Sequence, residues 1–151
     1  MLRIGIDFDN TMACYDQAFA ELAVPMGFQS SHEVATKIKV KQSIQNSPEG
    51  DLLWQRLQGQ VYGKHMLLAK VFAGVHEFIC LAKIRGHEVF VVSHKTEFGH
   101  FDEEQVPLRG QAVLWLEKNK FFHANQLCLK KENVFFESTR EEKIKRIKDL
   151  E

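Results

Sequence analysis

Asp7 and Asp9 stand two residues apart at the end of an apolar run, in the stretch Met1-Leu2-Arg3-Ile4-Gly5-Ile6-Asp7-Phe8-Asp9-Asn10-Thr11. Leu2, Ile4 and Ile6 predict a short buried strand, with Gly5 allowing close packing. A buried strand that ends in carboxylates needs a compensating charge, because an unpaired buried charge is expensive. A cation bound at the strand's carboxyl end supplies one, and ligands of open α/β sheets gather at that edge. The i, i+2 spacing puts both side chains on one face of a strand. The alternative is a strand capped by turn-forming Asp and Asn, with no chemistry attached.

Two later stretches carry polar groups at the ends of apolar runs. Val89-Phe90-Val91-Val92 ends in Ser93-His94-Lys95-Thr96. Thr139-Arg140-Glu141-Glu142 reads as a capping box, Thr at the N-cap and Glu three residues on, with Lys143 directly after it. Lys95 stands close enough to Ser93 to attract a substrate anion. His94, His100 and Asp102 match no familiar ligand spacing and read as a solvated loop rather than a metal cluster.

The elements that must position these groups follow from the hydrophobic pattern. Tyr15, Ala18, Phe19, Leu22, Ala23 and Met26 recur at helical spacing, and Pro25 and Gly27 end that helix. Lys37-Ile38-Lys39-Val40-Lys41 alternates like a strand and equally fits a helix edge. Ser47-Pro48-Glu49 predicts an N-cap followed by proline at the first helical position, with Leu52, Leu53, Leu57 and Val61 as the apolar face up to Gly63. Trp54, Tyr62, His65 and Met66 read as core residues, with a substrate-pocket lining as the other possibility. Val75, Phe78, Ile79 and Ala82 predict a helix ending at Gly86. The run from Val89 reads as a strand covered on both faces of a parallel sheet. Ala112, Trp115 and Leu116 share a face of a helix running to about Phe121 and Phe122, and Val134-Phe135-Phe136 predicts a third short buried strand. Ile144, Ile147 and Leu150 mark the last helix.

Asp7-Phe8-Asp9-Asn10-Thr11 resembles the first motif of the haloacid dehalogenase-like hydrolase superfamily, an apolar strand followed by Asp-x-Asp-x-Thr. The stretch "GVHEFICLAKIRGHEVFVVSHK" is similar to that superfamily's Gly-initiated helix and second-motif strand, with Ser93 on the motif's Ser/Thr. The resemblance implies an α/β fold: a Rossmann-like three-layer core with a parallel sheet, here incomplete with strands 1-2-3, plus a mainly helical cap inserted after strand 1. The core would comprise residues 1–14 and 69–151 and the cap residues 15–68, closing over the site and selecting substrate.

The same resemblance implies that Asp7 is the nucleophile and Asp9 the general acid/base, with Mg²⁺ held by the Asp7 carboxylate and the Asp9 main-chain carbonyl. Ser93, through its hydroxyl, and the following main-chain N–H, that of His94, would bind phosphoryl oxygens, joined by Asn10. Lys143 would be the motif III lysine, with Lys145, Lys130 and Lys131 as competitors. The chemistry is coherent. A carboxylate attacking a phosphate dianion meets charge repulsion that a divalent cation relieves. A second carboxyl can protonate the leaving oxygen and then activate water to release the aspartyl-phosphate. Neutral donors fixed where charge spreads stabilise the transition state. Asp9 favours phosphoryl chemistry, since dehalogenases of the superfamily lack that second Asp.

One family motif is not found. A fourth motif, an apolar strand ending in acidic residues that complete the magnesium site, is expected after the Lys143 helix, and neither Asp149 nor Glu151 follows such a strand. The chain therefore reads as part of the family's domain. In the family's strand order, 5-4-1-2-3, strand 1 would lose its neighbour and expose an apolar edge. Losing about five buried apolar side chains costs roughly 7–15 kcal/mol, against a net domain stability of about 5–15 kcal/mol. The expectation is a homo-oligomer through the strand 1 edge or marked instability, together with weak Mg²⁺ affinity.

Length and composition set the outer bounds. A chain of 151 residues with 44% apolar and 26% charged side chains is of ordinary size and make-up for one globular domain. Twenty basic against twenty acidic residues leave no global field to recruit nucleic acid or an anionic membrane. Cys14, Cys80 and Cys128 are scattered and odd in number, which reads as structural thiols of a reducing cytoplasm. No signal peptide and no apolar run of membrane-spanning length is evident. Two functions stand: a magnesium-dependent phosphomonoesterase acting on a small phosphorylated metabolite, and a non-catalytic binding module on the same fold.

Overall fold

The protein, described here by a computed structural model covering residues 1–30, 36–123 and 129–151, is mixed α/β, with a three-stranded parallel sheet and six helices among those residues. Cys128 lies outside the described residues. In chain order the elements are β1 (Arg3–Ile6), β2 (Ala13–Cys14), α1 (Asp16–Ala23), α2 (Lys37–Gln45), α3 (Gly50–Tyr62), β3 (Lys70–Val71), α4 (Val75–Ile84), β4 (Glu88–His94), α5 (Leu108–Lys118), β5 (Val134–Glu137) and α6 (Arg140–Asp149). The chain divides into two compact units. One comprises Met1–Ala13, Val71–Glu97 and Val113–Glu151; the other comprises Cys14–Lys70 and Phe98–Ala112.

The first unit is built on the sheet β1-β4-β5, with Ile6 opposite Val91 and Ser93 opposite Phe136. β4 is central, and the run Val89 to Ser93 is buried, as a strand flanked on both sides requires. β1 and β5 are the two edges. The order matches the expected 1-2-3 with strand 1 at an edge, but the burial expected of Leu2 and of Val134-Phe135-Phe136 is corrected: Leu2 is 61% exposed, and β5 is only half-buried throughout. Among the described residues each edge has a hydrogen-bonded strand on one side alone. Gly5 does not serve close packing either, since a Cβ there would meet Val92 Cγ2 at an ordinary 3.9 Å. Of the predicted apolar face of α4, Ile79 and Ala82 are buried while Phe78 points outward. Gly86, at φ 74°, takes the left-handed turn after α4 that favours glycine. Phe8, Trp115, Phe121 and Phe136 form an aromatic core, with Phe8 edge-on to Trp115 at 5.4 Å and to Phe136 at 5.5 Å. α5 ends at Lys118, and Phe121 turns back into this core after a left-handed Lys120.

The second unit is helical. Lys37-Ile38-Lys39-Val40-Lys41 is helix, capped by the Thr36 hydroxyl, which accepts from Lys39 N. Val40 and Ile44, four apart, are its buried face. Ser47 does not cap α3. Its hydroxyl donates back to the Ile44 carbonyl at 2.6 Å, and α3 begins at Gly50 after a left-handed Glu49. A Cβ on Gly50 would collide with the Ile44 carbonyl, so the α2–α3 corner closes only on glycine. Gly50→Ala is therefore expected to cost about 1–3 kcal/mol as overpacking, read as a lower urea midpoint; an unchanged midpoint would show that the corner relaxes freely. Trp54 and Met66 are core residues, Trp54 stacking on Phe19 at 4.8 Å. Tyr62 accepts from Lys37 Nζ at 2.7 Å.

No helix of the described residues is long and apolar enough to cross a membrane.

Candidate active site

The site lies within the sheet unit, at the carboxyl ends of β1 and β4. Phe8 anchors it. Its ring fills the aromatic core, edge-on to Trp115 and Phe136, and fixes the backbone that carries Asp7 and Asp9 on either side of it. Its carbonyl then accepts from Thr11 N, Met12 N and Ala13 N at 3.4, 2.9 and 3.1 Å. Asn10 enters the left-handed region at φ 58°, and its N–H donates to the Ala13 carbonyl. Asparagine tolerates that region better than most side chains. The acid pair is thus carried on a closed turn rather than a free loop.

Asp7 receives its partners from three elements. Lys143 Nζ lies 2.9 Å from Asp7 Oδ1, the Phe8 N–H donates to the same oxygen at 3.0 Å, and the Ser93 hydroxyl, from β4, is near enough to help lower the carboxyl's pKa. Lys143 is delivered by α6, whose start is fixed by the full capping box. Thr139 accepts from Glu142 N, and Glu142 accepts from Thr139 N. Of the competing lysines, Lys131 pairs instead with Glu117. Burial pushes the Asp7 carboxyl upward, but the hydrogen bond and charge of Lys143, the Ser93 hydroxyl and the Phe8 N–H outweigh it and hold the group below its usual range. The fold therefore favours the ionised form. That stabilisation is present above the ordinary carboxylate pKa and is lost as pH falls through the lowered value. In Lys143→Met the Asp7 titration, followed by carboxyl-carbon NMR, is expected to move upward; an unmoved titration would show that the ion pair is absent in solution.

Asp9 has a different cation. Lys95 Nζ lies 3.0 Å from Asp9 Oδ1 and 2.9 Å from Oδ2, and its side chain is 2% exposed. The ammonium also sits 5.4 Å from the centroid of the Phe8 ring. Lys95 therefore belongs to the site and not to a solvated loop. The signal was available in the spacing: Lys95 is two residues beyond Ser93, on the same face of an extended chain.

The remaining predicted residues divide. Asn10 lines, with Asp7 and Thr11, a cavity of about 650 Å³ that opens beside β1 and is walled by Phe72, Val75 and Phe78. The His94 side chain goes elsewhere: it is exposed, and its Nε2 pairs with the Ser138 carbonyl at 2.8 Å. Its main-chain N–H is another matter. Lys95 N donates to Glu137 on the β5 side, so strand alternation turns the His94 N–H towards β1 and the acid pair. Asp102 spends its carboxylate on Glu104 N and Val106 N.

Among the described residues no three His, Cys, Asp or Glu side chains converge as a metal cage. Two aspartates at one strand end are still a fitting donor set for Mg²⁺. They offer hard oxygens, and this cation commonly binds through one or two carboxylates while keeping much of its water. No family model, curated protein or solved structure matches the chain.

Proposed function

We propose that the chain is a hydrolase of the haloacid dehalogenase-like type, a magnesium-dependent phosphomonoesterase acting on a small phosphorylated metabolite. The observation that carries the reading is the Lys143 ammonium 2.9 Å from the Asp7 carboxylate, at the sheet edge where β4 brings Ser93 beside the end of β1. A nucleophilic carboxylate, a neutral donor and a cation meeting at one point are the parts that phosphoryl transfer requires. The cavity beside Asp7 falls within the usual size range of small-ligand pockets, and its apolar wall suits the non-phosphorylated part of such a substrate. Residues 15–68 serve in this reading as the cap that selects the substrate.

Asp7 attacks phosphorus, and the bond to the leaving oxygen breaks. Asp9 protonates that oxygen. Asp9 then takes a proton from water as the water attacks the aspartyl-phosphate and frees Asp7. Lys143, Ser93 and the His94 N–H hold the phosphoryl oxygens. Mg²⁺, held by the Asp7 carboxylate and the Asp9 carbonyl, would offset the repulsion between the two anions.

A second reading has its own support: both acids already have lysine partners, as in a structural ion-pair network on a non-catalytic module. Hydrolysis of p-nitrophenyl phosphate with and without Mg²⁺, in wild type and Asp7→Asn, separates the two. Mg²⁺-dependent release that requires Asp7 is expected. Equal rates in the two proteins would sink the enzyme reading.

A further inference from the structure

Lys95 is the buried charge that the proposed reaction leaves without a task. Its side chain is 2% exposed, which is costly for an ammonium unless it is paired. It spans both oxygens of Asp9, at 3.0 and 2.9 Å, with the Phe8 ring 5.4 Å away. Asp7 has its own cation, Lys143, at 2.9 Å. Two contacts on one carboxylate fix where that group sits and which way it faces. The backbone of Asp9 is fixed separately, by the turn that closes on the Phe8 carbonyl.

We propose that Lys95 is a positioning residue that aims the Asp9 carboxylate for proton transfer in the aspartyl-phosphate cycle. This rests on the hydrolase reading. The step most sensitive to it is the second. There the water oxygen bonds to phosphorus, one water proton passes to an Asp9 oxygen, and the bond from phosphorus to the Asp7 oxygen breaks with its electron pair returning to Asp7. With p-nitrophenyl phosphate the first step needs little help from an acid, because p-nitrophenolate leaves unprotonated. A misaimed Asp9 therefore stalls the cycle after the first step.

The test is acid-quench trapping of protein-bound phosphate with labelled p-nitrophenyl phosphate and Mg²⁺. Lys95→Met is expected to lower kcat by roughly 10²-fold and to accumulate a hydroxylamine-labile phosphoenzyme that wild type barely shows. Asp9→Asn should do the same. Adding Lys95→Met to Asp9→Asn, a pair that leaves no buried charge unpaired, should cost no further activity. The comparison of Asp9→Asn with the double variant decides the matter even where Lys95→Met alone fails to fold. A further loss of tenfold or more in the double variant would overturn the positioning role, as would a folded Lys95→Met that turns over like wild type. Wild type with no Asp7-dependent turnover would overturn the hydrolase reading itself, and this inference with it.

Discussion

Asp7→Asn is expected to lower phosphate release by at least about 10³-fold, the scale on which removing a nucleophile is felt. The substitution is nearly isosteric and keeps one oxygen for the Lys143 ammonium and the Phe8 N–H. In the proposed reaction, what it removes is the charge that would attack phosphorus. The loss should therefore appear in kcat, with the thermal midpoint close to wild type, because Asp7 is substantially exposed and its ion pair is screened by water. Steady-state kinetics beside a melting curve reads both quantities. A variant that keeps a tenth of the rate would remove Asp7 from the chemistry.

The second large effect is on stability. Asp9→Ala strands the Lys95 ammonium in the interior, where the Phe8 ring is poor compensation for a carboxylate. Breaking a buried pair from one side costs about 3–5 kcal/mol, a large share of what a domain this size commands. The urea midpoint should fall accordingly. Asp9→Ala combined with Lys95→Met should recover most of the loss, since the stranded charge and not the missing contact carries the penalty. The exposed Lys64–Glu104 pair is the control: its removal should leave the midpoint unmoved. An Asp9→Ala protein as stable as wild type would show that water reaches Lys95 freely.

Local pattern announced much of this arrangement. The Asp-x-Asp turn, Ser93 at the end of the central strand and the capping box that delivers Lys143 could each be read from a handful of neighbouring residues. What local pattern does not carry is neighbourhood. Leu2, Ile4 and Ile6 are apolar enough for a buried strand; that β1 is an edge followed only from the strand order the resemblance implies, because it depends on partners far along the chain. Lys95 could be placed near Ser93 from the sequence, but as a lure for a substrate anion and not as the partner of Asp9, which lies 86 residues away. The Ser47-Pro48 signal failed for a similar reason. The tight corner at Gly50 reassigns the Ser47 hydroxyl to the preceding helix.

The two lysines of the site differ in how firmly they are seated. Lys95 is walled into the interior, whereas α6, which carries Lys143, has no buried residue and is held by its cap and by Arg146 against Glu137. Segments with so little interior contact open on their own, well before the whole molecule gives way. On warming, Asp7 would lose its counter-ion while the sheet stayed intact, and any reaction proposed for that carboxylate would fade ahead of shape.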